Sequence, residues 1–550
     1  MSAAERPAAT QPTSTNGMAD TETPWWQGGI IYQVYPRSFQ DSDGDGVGDL
    51  PGITARLDHL RWLGVDAVWV SPFYPSPMAD FGYDVGDYCG VDRVFGTLED
   101  FDRLVAEAHA RGLRVILDFV PNHTSERHPW FAESRASRGS PRRGWYIWRD
   151  PAPDGGPPNN WISAFGGSAW EWDEATGQFY LHTFLREQPD LDWSSPEVVE
   201  AMLGVLRFWL ERGVDGFRVD AVQNLGKDPL LRDNPPNPRF RPGVDDPYDA
   251  LLRENSCDRP VVHDLIARMR RVVDGYGPGR VVLGEIYNTV ERLMPYYGAA
   301  GAGCHFPYNF QLIRLPWDAR AIGDAVRRYE GLLPAGAWPN WVLGNHDRHR
   351  IASRVGPEQA RVAAMLLLTL RGTPTLYYGD EIGMRDVPIP PHRVQDPWEK
   401  NLPGQGLGRD PERTPMQWDA GPGAGFTPGE PWLPVADDFR EVNVAAQRAD
   451  PGSMLSLYRR LIGLRRAEPA LHAGGWEPAD APPDVLAYRR AGGGRRFLVA
   501  LNLGAETRSL EMGRGTSGAV AVSTNPERDG EGVEWTLVLR GAEGVVVRLD

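Results

Sequence analysis

Short runs of β-branched and aromatic residues alternate with amphipathic stretches along most of the chain. The stretch 98–112 predicts a helix, whose core face consists of Phe101, Leu104, Val105 and Ala108. The runs predict strands over eight ranges: 30–39, 66–72, 114–120, 215–222, 280–286, 304–310, 339–347 and 373–381. Eight strands separated by helices predict an α/β fold, a parallel (β/α)8 TIM barrel. An open doubly wound sheet is the structural alternative, but no GxGxxG follows any of these runs.

Three segments depart from this alternation. The segment 121–192 is rich in Pro, Gly, Trp and Arg and is too long for a plain loop, so it predicts a small inserted domain after the third strand. An irregular stretch, 385–450, follows the eighth strand and predicts an excursion over the barrel mouth. The segment 476–550 has short strand patterns separated by Gly, which predict a C-terminal antiparallel β-sandwich domain. The barrel itself is assigned to 25–120 and 193–475.

Composition and the chain ends exclude several protein classes. With 58 Lys and Arg against 74 Asp and Glu, the net charge of −16 argues against binding to nucleic acids or anionic membranes. The segment 1–24 is polar, so we expect a disordered tail rather than a signal peptide. No apolar run is long enough to predict a membrane span. Cys89, Cys257 and Cys304 are far apart, which favours reduced thiols and a cytoplasmic protein.

Acidic residues fall at the carboxyl ends of several predicted strands, where barrels place their chemistry. The residues are Asp118, Asp220, Glu285 and Asp347. A single carboxylate at such a position is usually a helix cap or a solvated turn, but several together can serve as acid, nucleophile and orienting group around a sugar. Arg218 lies on the same side of its strand as Asp220, so we expect it to lower the pKa of Asp220 and keep that carboxyl ionised.

Five motifs resemble the signature regions of the α-amylase family of glycoside hydrolases, specifically its α-glucosidase and oligo-1,6-glucosidase branch. In chain order, they are DFVPNH (118–123), QPDLDW (188–193), GFRVDAV (216–222), GEI (284–286) and GNHD (344–347). The second departs from the QPDLN pattern usual in this branch, because Asp192 replaces Asn. The resemblance extends from about Trp25 to about Ala470, and it implies a barrel with chemistry at these strand ends.

The resemblance assigns roles to the motif residues. It implies that Asp220 is the nucleophile, that Glu285 is the general acid and then base, and that Asp347 stabilises the transition state. The same resemblance makes His123 and His346 hydrogen-bonding partners of the glucose before the cleavage point, with a buried structural histidine as the alternative for each. No cofactor is expected to take part in the chemistry.

The segment 71–88 resembles the branch's loop after the second strand, and it implies a pocket that holds one terminal glucose. Asp80 would grip this glucose and Tyr83 would stack on it. Arg413, in RTPMQWD, matches the ionic partner of Asp80, and a closed pair of this kind implies exo action. Phe165 would line the same subsite, unless it is an ordinary packing residue.

The residue after the predicted nucleophile, Ala221, bears on linkage preference. In this branch Val at this position accompanies α-1,6 cleavage, and small residues or Thr accompany α-1,4 cleavage, so the resemblance favours an α-1,4 preference. The segment 231–236 departs from the usual oligo-1,6 enzymes, and we expect it to shape the acceptor side of the site.

A Gly-rich acidic turn predicts a structural cation site. Its aspartates alternate with glycines in DSDGDGVGD, and the predicted ligands are Asp41, Asp43, Asp45, Asp49 and, by resemblance, the carbonyl of Val47. Hard oxygen ligands suit Ca²⁺ or Mg²⁺. A solvated acidic turn is the alternative, and no part in the chemistry is expected.

The resemblance therefore implies an exo-acting retaining α-glucosidase. It would act on maltose and short malto-oligosaccharides, with transglucosylation as an accompanying reaction. The alternatives are an oligo-1,6-glucosidase and a glucosyl-transferring relative such as a trehalose synthase or a sucrose-acting enzyme. A non-catalytic relative, such as the amylase-like ectodomain of amino-acid transporter heavy chains, is disfavoured because Asp220, Glu285 and Asp347 are all present. The expected partner is a small glucoside, and the oligomeric state is left open.

Overall fold

The computed structural model describes residues 24–550, so the predicted disordered tail lies, apart from Pro24, outside the described residues. The strands are β1 Ile31–Val34, β2 Ala67–Val70, β3 Arg114–Phe119, β4 Trp148–Arg149, β5 Trp170–Asp173, β6 Gln178–Leu181, β7 Gly216–Val219, β8 Val281–Gly284, β9 Phe306–Pro307, β10 Asn340–Val342, β11 Thr373–Tyr377, β12 Gly475–Ala479, β13 Val485–Gly492, β14 Arg495–Asn502, β15 Arg508–Glu511, β16 Ser517–Ser523, β17 Gly532–Glu534, β18 Thr536–Leu539 and β19 Gly544–Leu549.

Within residues 24–550, the α-helices all precede β12, and all but the first lie between strands. They are α1 Trp25–Gly28, α2 Pro36–Phe39, α3 Leu50–Leu63, α4 Leu98–Ala110, α5 Pro129–Ala136, α6 Pro196–Glu211, α7 Val261–Asp274, α8 Val290–Leu293, α9 Gln311–Arg314, α10 Ala319–Leu332, α11 Ile351–Val355, α12 Pro357–Thr369, α13 Pro397–Asn401, α14 Val444–Ala449, α15 Met454–Ala467 and α16 Pro469–His472. In the described part of the chain, none of these helices has the length and apolar character needed to cross a membrane.

Eight strands form a parallel sheet in the order β10-β11-β1-β2-β3-β7-β8-β9, which is a nearly closed barrel. The gap lies between β9 and β10, where the backbone N–H of Asn309 donates to Asn340 Oδ1 at 3.5 Å. Each predicted run contains one of these strands. Their residues are almost all buried, as expected for parallel strands covered on both faces. The predicted (β/α)8 fold is confirmed.

Helix α4 shows how local sequence fixes an element on this barrel. Thr97 and Asp100 form a capping box, in which each side chain accepts from the other residue's backbone N–H. The four apolar residues predicted for its core face are the ones buried against the barrel: Phe101, Leu104, Val105 and Ala108.

The segment after β3 forms a small domain of its own. Its strands pair antiparallel in the order β4-β6-β5, and α5 precedes them. A local apolar core holds this domain together, and it consists of Ile147, Trp161, Ala169, Trp170, Phe179 and Leu181. Asp190, near its end, forms a β-bridge with His123, so the domain returns to the barrel beside the end of β3.

The C-terminal segment forms two antiparallel sheets. One has the order β12-β13-β14-β19-β16-β17 and the other pairs β15 with β18. An apolar cluster lies between them, with Leu498 and Val547 from the larger sheet and Leu510 and Leu537 from the smaller. The predicted β-sandwich is confirmed.

Candidate active site

The carboxyl ends of the barrel strands surround a cavity of about 470 Å³. Eight of the predicted site residues line it: Asp80, Tyr83, His123, Phe165, Asp220, Glu285, His346 and Asp347. Arg218 and Arg413 are almost fully buried and contact lining carboxylates from behind. The structure thus brings the predicted catalytic and substrate-binding residues together, while their individual roles remain predictions.

A single guanidinium is shared by three carboxylates at the base of the cavity. Arg218 Nη1 lies 2.6 Å from Asp118 Oδ1 and 2.6 Å from Asp220 Oδ1, and its Nη2 lies 2.6 Å from Glu285 Oε1. The backbone N–H of Ala221 donates to the other oxygen of Glu285 at 2.8 Å. Asp220 and Glu285 therefore flank one small space from adjacent strands β7 and β8.

The charge balance of this cluster corrects one expectation from the sequence. Burial raises the pKa of Asp220 well above its usual value, the carboxylates of Glu285 and Asp118 add to the rise, and Arg218 only opposes it. Burial likewise raises the pKa of Asp118 to about 6, against the pull of Arg218. Arg218 thus lowers the pKa of Asp220 as expected, but it does not set the direction of the shift, because burial is the larger effect and one cation is divided among three carboxyls.

Asp347 has the opposite electrostatic environment. Its Oδ1 lies 2.9 Å from Arg413 Nη2 and 3.2 Å from Arg409 Nη1. Burial would raise its pKa, but the adjacent His346 imidazole and the guanidinium groups of Arg409 and Arg413 hold that pKa far below the usual value. Burial lowers the pKa of His346, and Gln33 Nε2 donates to His346 Nδ1 at 2.8 Å. The neutral ring therefore carries its proton on Nε2, which lies 3.3 Å from Asp347 Oδ2.

The ionic partner of Asp80 is not the residue predicted from the sequence. Arg409 Nη2 lies 2.6 Å from Asp80 Oδ1 and also 2.6 Å from Asp396 Oδ1. Arg413 instead donates to the His346 carbonyl at 2.7 Å and to Asp347. The predicted clamp thus exists as Asp80–Arg409, because the short 3-10 turn Asp410–Glu412 separates the two arginines and directs them to different acids.

Aromatic rings complete the wall near this ion pair. The Tyr83 ring stacks on His346 with centroids 5.2 Å apart, and the Tyr83 hydroxyl donates to Asp118 Oδ2 at 3.2 Å. Phe165 packs against Trp398 at 5.2 Å, and the Arg409 guanidinium lies 5.3 Å from the Phe165 ring. Phe165 therefore both packs and lines the cavity.

His123 lies beside the Tyr83 backbone. Its Nε2 is 3.1 Å from the Tyr83 carbonyl oxygen, and burial lowers its pKa to about 4. The ring is consequently neutral near pH 7.

Several further lining residues were not identified from the sequence. They are Asp246, Tyr248, Arg253, Tyr287 and Arg348. Asp246, Tyr248 and Arg253 come from the irregular segment between β7 and α7, whereas Tyr287 and Arg348 directly follow the motifs at 284–286 and 344–347. Only the folded chain shows that these five residues meet. The segment 231–236, which we expected on the acceptor side, packs instead against the inserted domain. Asn159 Nδ2 donates to the Leu231 carbonyl and Asn160 Nδ2 to the Asn234 carbonyl, both at 2.9 Å.

The acidic turn lies apart from this cavity. Asp41, Asp43 and Asp49 each bring one carboxylate oxygen to within 4.8 Å of the others. Asp45 is outside this group of three, and one of its oxygens accepts from the Val47 N–H at 2.8 Å. Three hard oxygens at this spacing fit a Ca²⁺ or Mg²⁺ ion, so the donor set agrees with the predicted kind of site.

Comparison with known proteins agrees with this fold and site. The α-amylase family model, described as the alpha amylase catalytic domain, matches residues 33–474. A probable alpha-glucosidase from Rhizobium meliloti (strain 1021) is 43% identical over 516 residues, which cover 91% of this chain and 93% of that protein.

Two solved structures are similar over almost the whole chain. The α-glucosyl transfer enzyme XgtA has a TM-score of 0.90 and 42% identity, and the match covers 96% of this chain and 100% of that one. The trehalulose synthase MutB from Pseudomonas mesoacidophila MX-45 has a TM-score of 0.88 and 36% identity with the same coverage. The fold and site define a glycoside hydrolase. The chain belongs to the α-amylase catalytic-domain family.

Proposed function

We propose that this protein is an exo-acting, retaining α-glucosidase that releases one α-glucose from the non-reducing end of maltose and short malto-oligosaccharides. The observation that carries the proposal is the buried Asp80–Arg409 pair, at 2.6 Å, in the wall of the cavity that holds Asp220, Glu285 and Asp347. A wall closed by an ion pair leaves room for one terminal sugar and excludes a chain that continues through it. The similarity to the probable alpha-glucosidase from Rhizobium meliloti named above supports the same substrate class.

The proposed reaction has two displacement steps. Asp220 attacks the anomeric carbon while Glu285 protonates the departing oxygen, which leaves a β-glucosyl ester on Asp220. Glu285 then removes a proton from water, and the water oxygen attacks the same carbon to regenerate both carboxyls. A retaining pair needs carboxyls roughly 5–5.5 Å apart. The contact of Asp220 and Glu285 with the two terminal nitrogens of one guanidinium favours this short separation.

The cluster around Arg218 has one cation for three carboxyls, which favours retention of one proton, and the proposed mechanism requires that proton on the general acid. Asp347 stays ionised between Arg409 and Arg413, which suits a group that accepts hydrogen bonds from sugar hydroxyls.

Exo action is tested with maltotriose labelled at its reducing end. We expect unlabelled glucose and labelled maltose as the first products, and no cleavage when the non-reducing end is chemically blocked. Asp80→Asn should lower kcat/KM about 30-fold or more, because it removes the charge-assisted hydrogen bonds that Asp80 makes with Arg409 and would make with the terminal sugar. Asp87→Asn, an exposed position in the same loop, is the matched control. Cleavage of the blocked substrate would contradict the proposal.

An oligo-1,6-glucosidase or a glucosyl-transferring enzyme is the second candidate. The similarity to XgtA and to a trehalulose synthase favours transfer. The same site could perform either reaction, because hydrolysis and transfer differ only in the hydroxyl that attacks the intermediate. Initial rates on maltose, isomaltose, trehalose and sucrose, with every product identified, separate these possibilities. Glucose as the main product from maltose supports hydrolysis with α-1,4 preference, whereas new disaccharides as the main products support transfer.

A structural divalent cation is part of the proposal. Asp41, Asp43 and Asp49 would bind Ca²⁺ or Mg²⁺ with oxygen ligands, and the ion would hold the loop between α2 and α3. Thr427 donates to Asp41, so the ion would also stabilise the contact of this loop with the irregular segment after β11.

A further inference from the structure

A second cluster of potential metal ligands lies outside the cavity. It consists of His349, Asp386 and Glu412, each of which brings one ligand atom to within 4.8 Å of the others. His349 lies in the loop after β10, Asp386 follows β11, and Glu412 ends the turn Asp410–Glu412. Three segments that are distant in sequence therefore meet here, and none of the three residues lines the cavity.

The three side chains converge on one point. His349 Nδ1 lies 2.9 Å from Asp386 Oδ2 and 3.7 Å from Glu412 Oε2. The other oxygen of Asp386, Oδ1, accepts a hydrogen bond from the backbone N–H of Arg350 at 2.9 Å, and this contact orients Oδ2 toward His349. Such a second hydrogen bond on a carboxylate is what orients ligands in metal sites.

Glu412 is the unusual member of this cluster. Its residue exposure is only 1%, yet among the described residues no donor hydrogen-bonds its Oε2. A buried carboxylate oxygen without a partner is costly unless an ion or water satisfies it.

The neighbouring arginines, Arg413 and Arg350, do not donate to Glu412 Oε2. Arg413, the next residue, donates to His346 and Asp347, and Arg350 Nη1 donates to the Tyr378 carbonyl at 2.7 Å. Glu412 Oε2 is therefore available to a cation. The His349 imidazole and the Asp386 carboxylate lie beside this oxygen and could bind the same cation.

We propose that His349, Asp386 and Glu412 bind one divalent transition-metal ion of borderline softness, such as Zn²⁺. One imidazole and two carboxylates are the ligand types that Zn²⁺ and Co²⁺ accept, whereas the all-oxygen loop at Asp41 suits Ca²⁺ or Mg²⁺. The His349 side chain is half exposed, so the ion has a path from solvent and water can complete its coordination.

The position of the site indicates a structural effect. Glu412 precedes Arg413, which contacts Asp347, and His349 follows Asp347 by two residues. A bound ion would join the loop that carries Asp347 to the turn that separates Arg409 from Arg413. We therefore expect the metal to raise the unfolding temperature.

The test uses the full chain, treated with a chelator and then held in excess Ca²⁺, so that the all-oxygen loop is occupied. Co²⁺ is titrated and its visible absorption is recorded, and Zn²⁺ is then added to displace it. We expect one Co²⁺ per chain, loss of the absorption with Zn²⁺, and a rise in Tm of one to a few degrees with either metal. No absorption band, or no displacement by Zn²⁺, would overturn the proposal.

Variants assign the site. His349→Ala should weaken Co²⁺ binding about tenfold or more and remove the rise in Tm, and Glu412→Gln should do the same. His392→Ala, another exposed histidine in the irregular segment, is the matched control and should bind as the parent does. Because His349 is half exposed, its variant tests the proposal even if Glu412→Gln folds poorly. Unchanged binding by His349→Ala would contradict the assignment.

Discussion

At the scale of single residues, the carboxyl groups of the site differ in the number of arginines that contact them. Arg218 contacts three carboxyls, whereas Asp347 is contacted by two arginines. The same residue type, aspartate, therefore has a raised pKa at position 220 and a lowered pKa at position 347. In the proposed mechanism, the proton shared by the three carboxyls around Arg218 must be on Glu285 when Asp220 attacks.

The nucleophile is tested by Asp220→Asn. An amide cannot form the ester intermediate, so we expect turnover of an aryl α-glucoside to fall about 10³-fold or more, with Tm and circular dichroism close to the parent. In Asp220→Gly, added azide should restore cleavage and yield the β-glucosyl azide, because azide attacks from the face the carboxylate occupied. Near-parental activity of the Asn variant would disprove the assignment.

Ala221 tests the linkage preference. It lines the cavity with φ of 43°, a left-handed conformation that disfavours β-branched residues. Ala221→Val should shift the ratio of maltose to isomaltose activity toward isomaltose and should destabilise the protein by about 1–3 kcal/mol through backbone strain. Ala221→Ser, which stays small, should keep both properties near the parental values. An unchanged ratio in the Val variant would remove the argument from side-chain size.

At the scale of elements, loops rather than strands distinguish this site. The strands bring Asp220 and Glu285 to one edge, but Arg409 and Phe165 come from the irregular segment after β11 and from the inserted domain. Loops of this length keep one conformation only if other contacts hold them. The acidic loop at Asp41 is one such contact, since it is joined to the irregular segment through Thr427.

Removal of the predicted divalent cation should therefore lower stability before it affects chemistry. We expect a chelator to reduce Tm and excess Ca²⁺ to restore it, because an ion that binds only the folded chain stabilises it. Asp43→Asn should abolish the response to Ca²⁺. Asp480→Asn, an exposed aspartate in the C-terminal domain, should leave that response intact. If chelation leaves Tm unchanged, the loop is a solvated turn.

At the scale of the whole molecule, the barrel and the C-terminal sandwich share one apolar core. One face of the larger sheet, including Tyr488, Phe497 and Val499, belongs to the same buried cluster as the barrel helices. The Tyr488 hydroxyl lies 2.6 Å from Thr369 Oγ1 at the end of α12. The two domains therefore depend on each other for burial of these faces.

Truncation tests this dependence. A chain ending at residue 475 would expose the apolar surface of α12 and α15 that the larger sheet covers, so we expect it to be insoluble or to lack a cooperative unfolding transition. Ser509→Ala, on β15 in the smaller sheet and away from that interface, should preserve the yield and should change the free energy of unfolding by no more than about 0.5 kcal/mol. A soluble truncated chain with parental activity would show that the barrel is independent of the sandwich.

The sequence by itself determined the barrel, the inserted domain, the C-terminal sandwich and the family. These depend on hydrophobic periodicity and on short motifs at strand ends, which are local properties of the chain. Only the tertiary structure decided that Asp80 pairs with Arg409 instead of Arg413, because the two arginines are four residues apart and the turn between them sets their directions. The pKa direction of Asp220 was equally a tertiary property, since burial and shared charge depend on neighbours that the sequence keeps far apart.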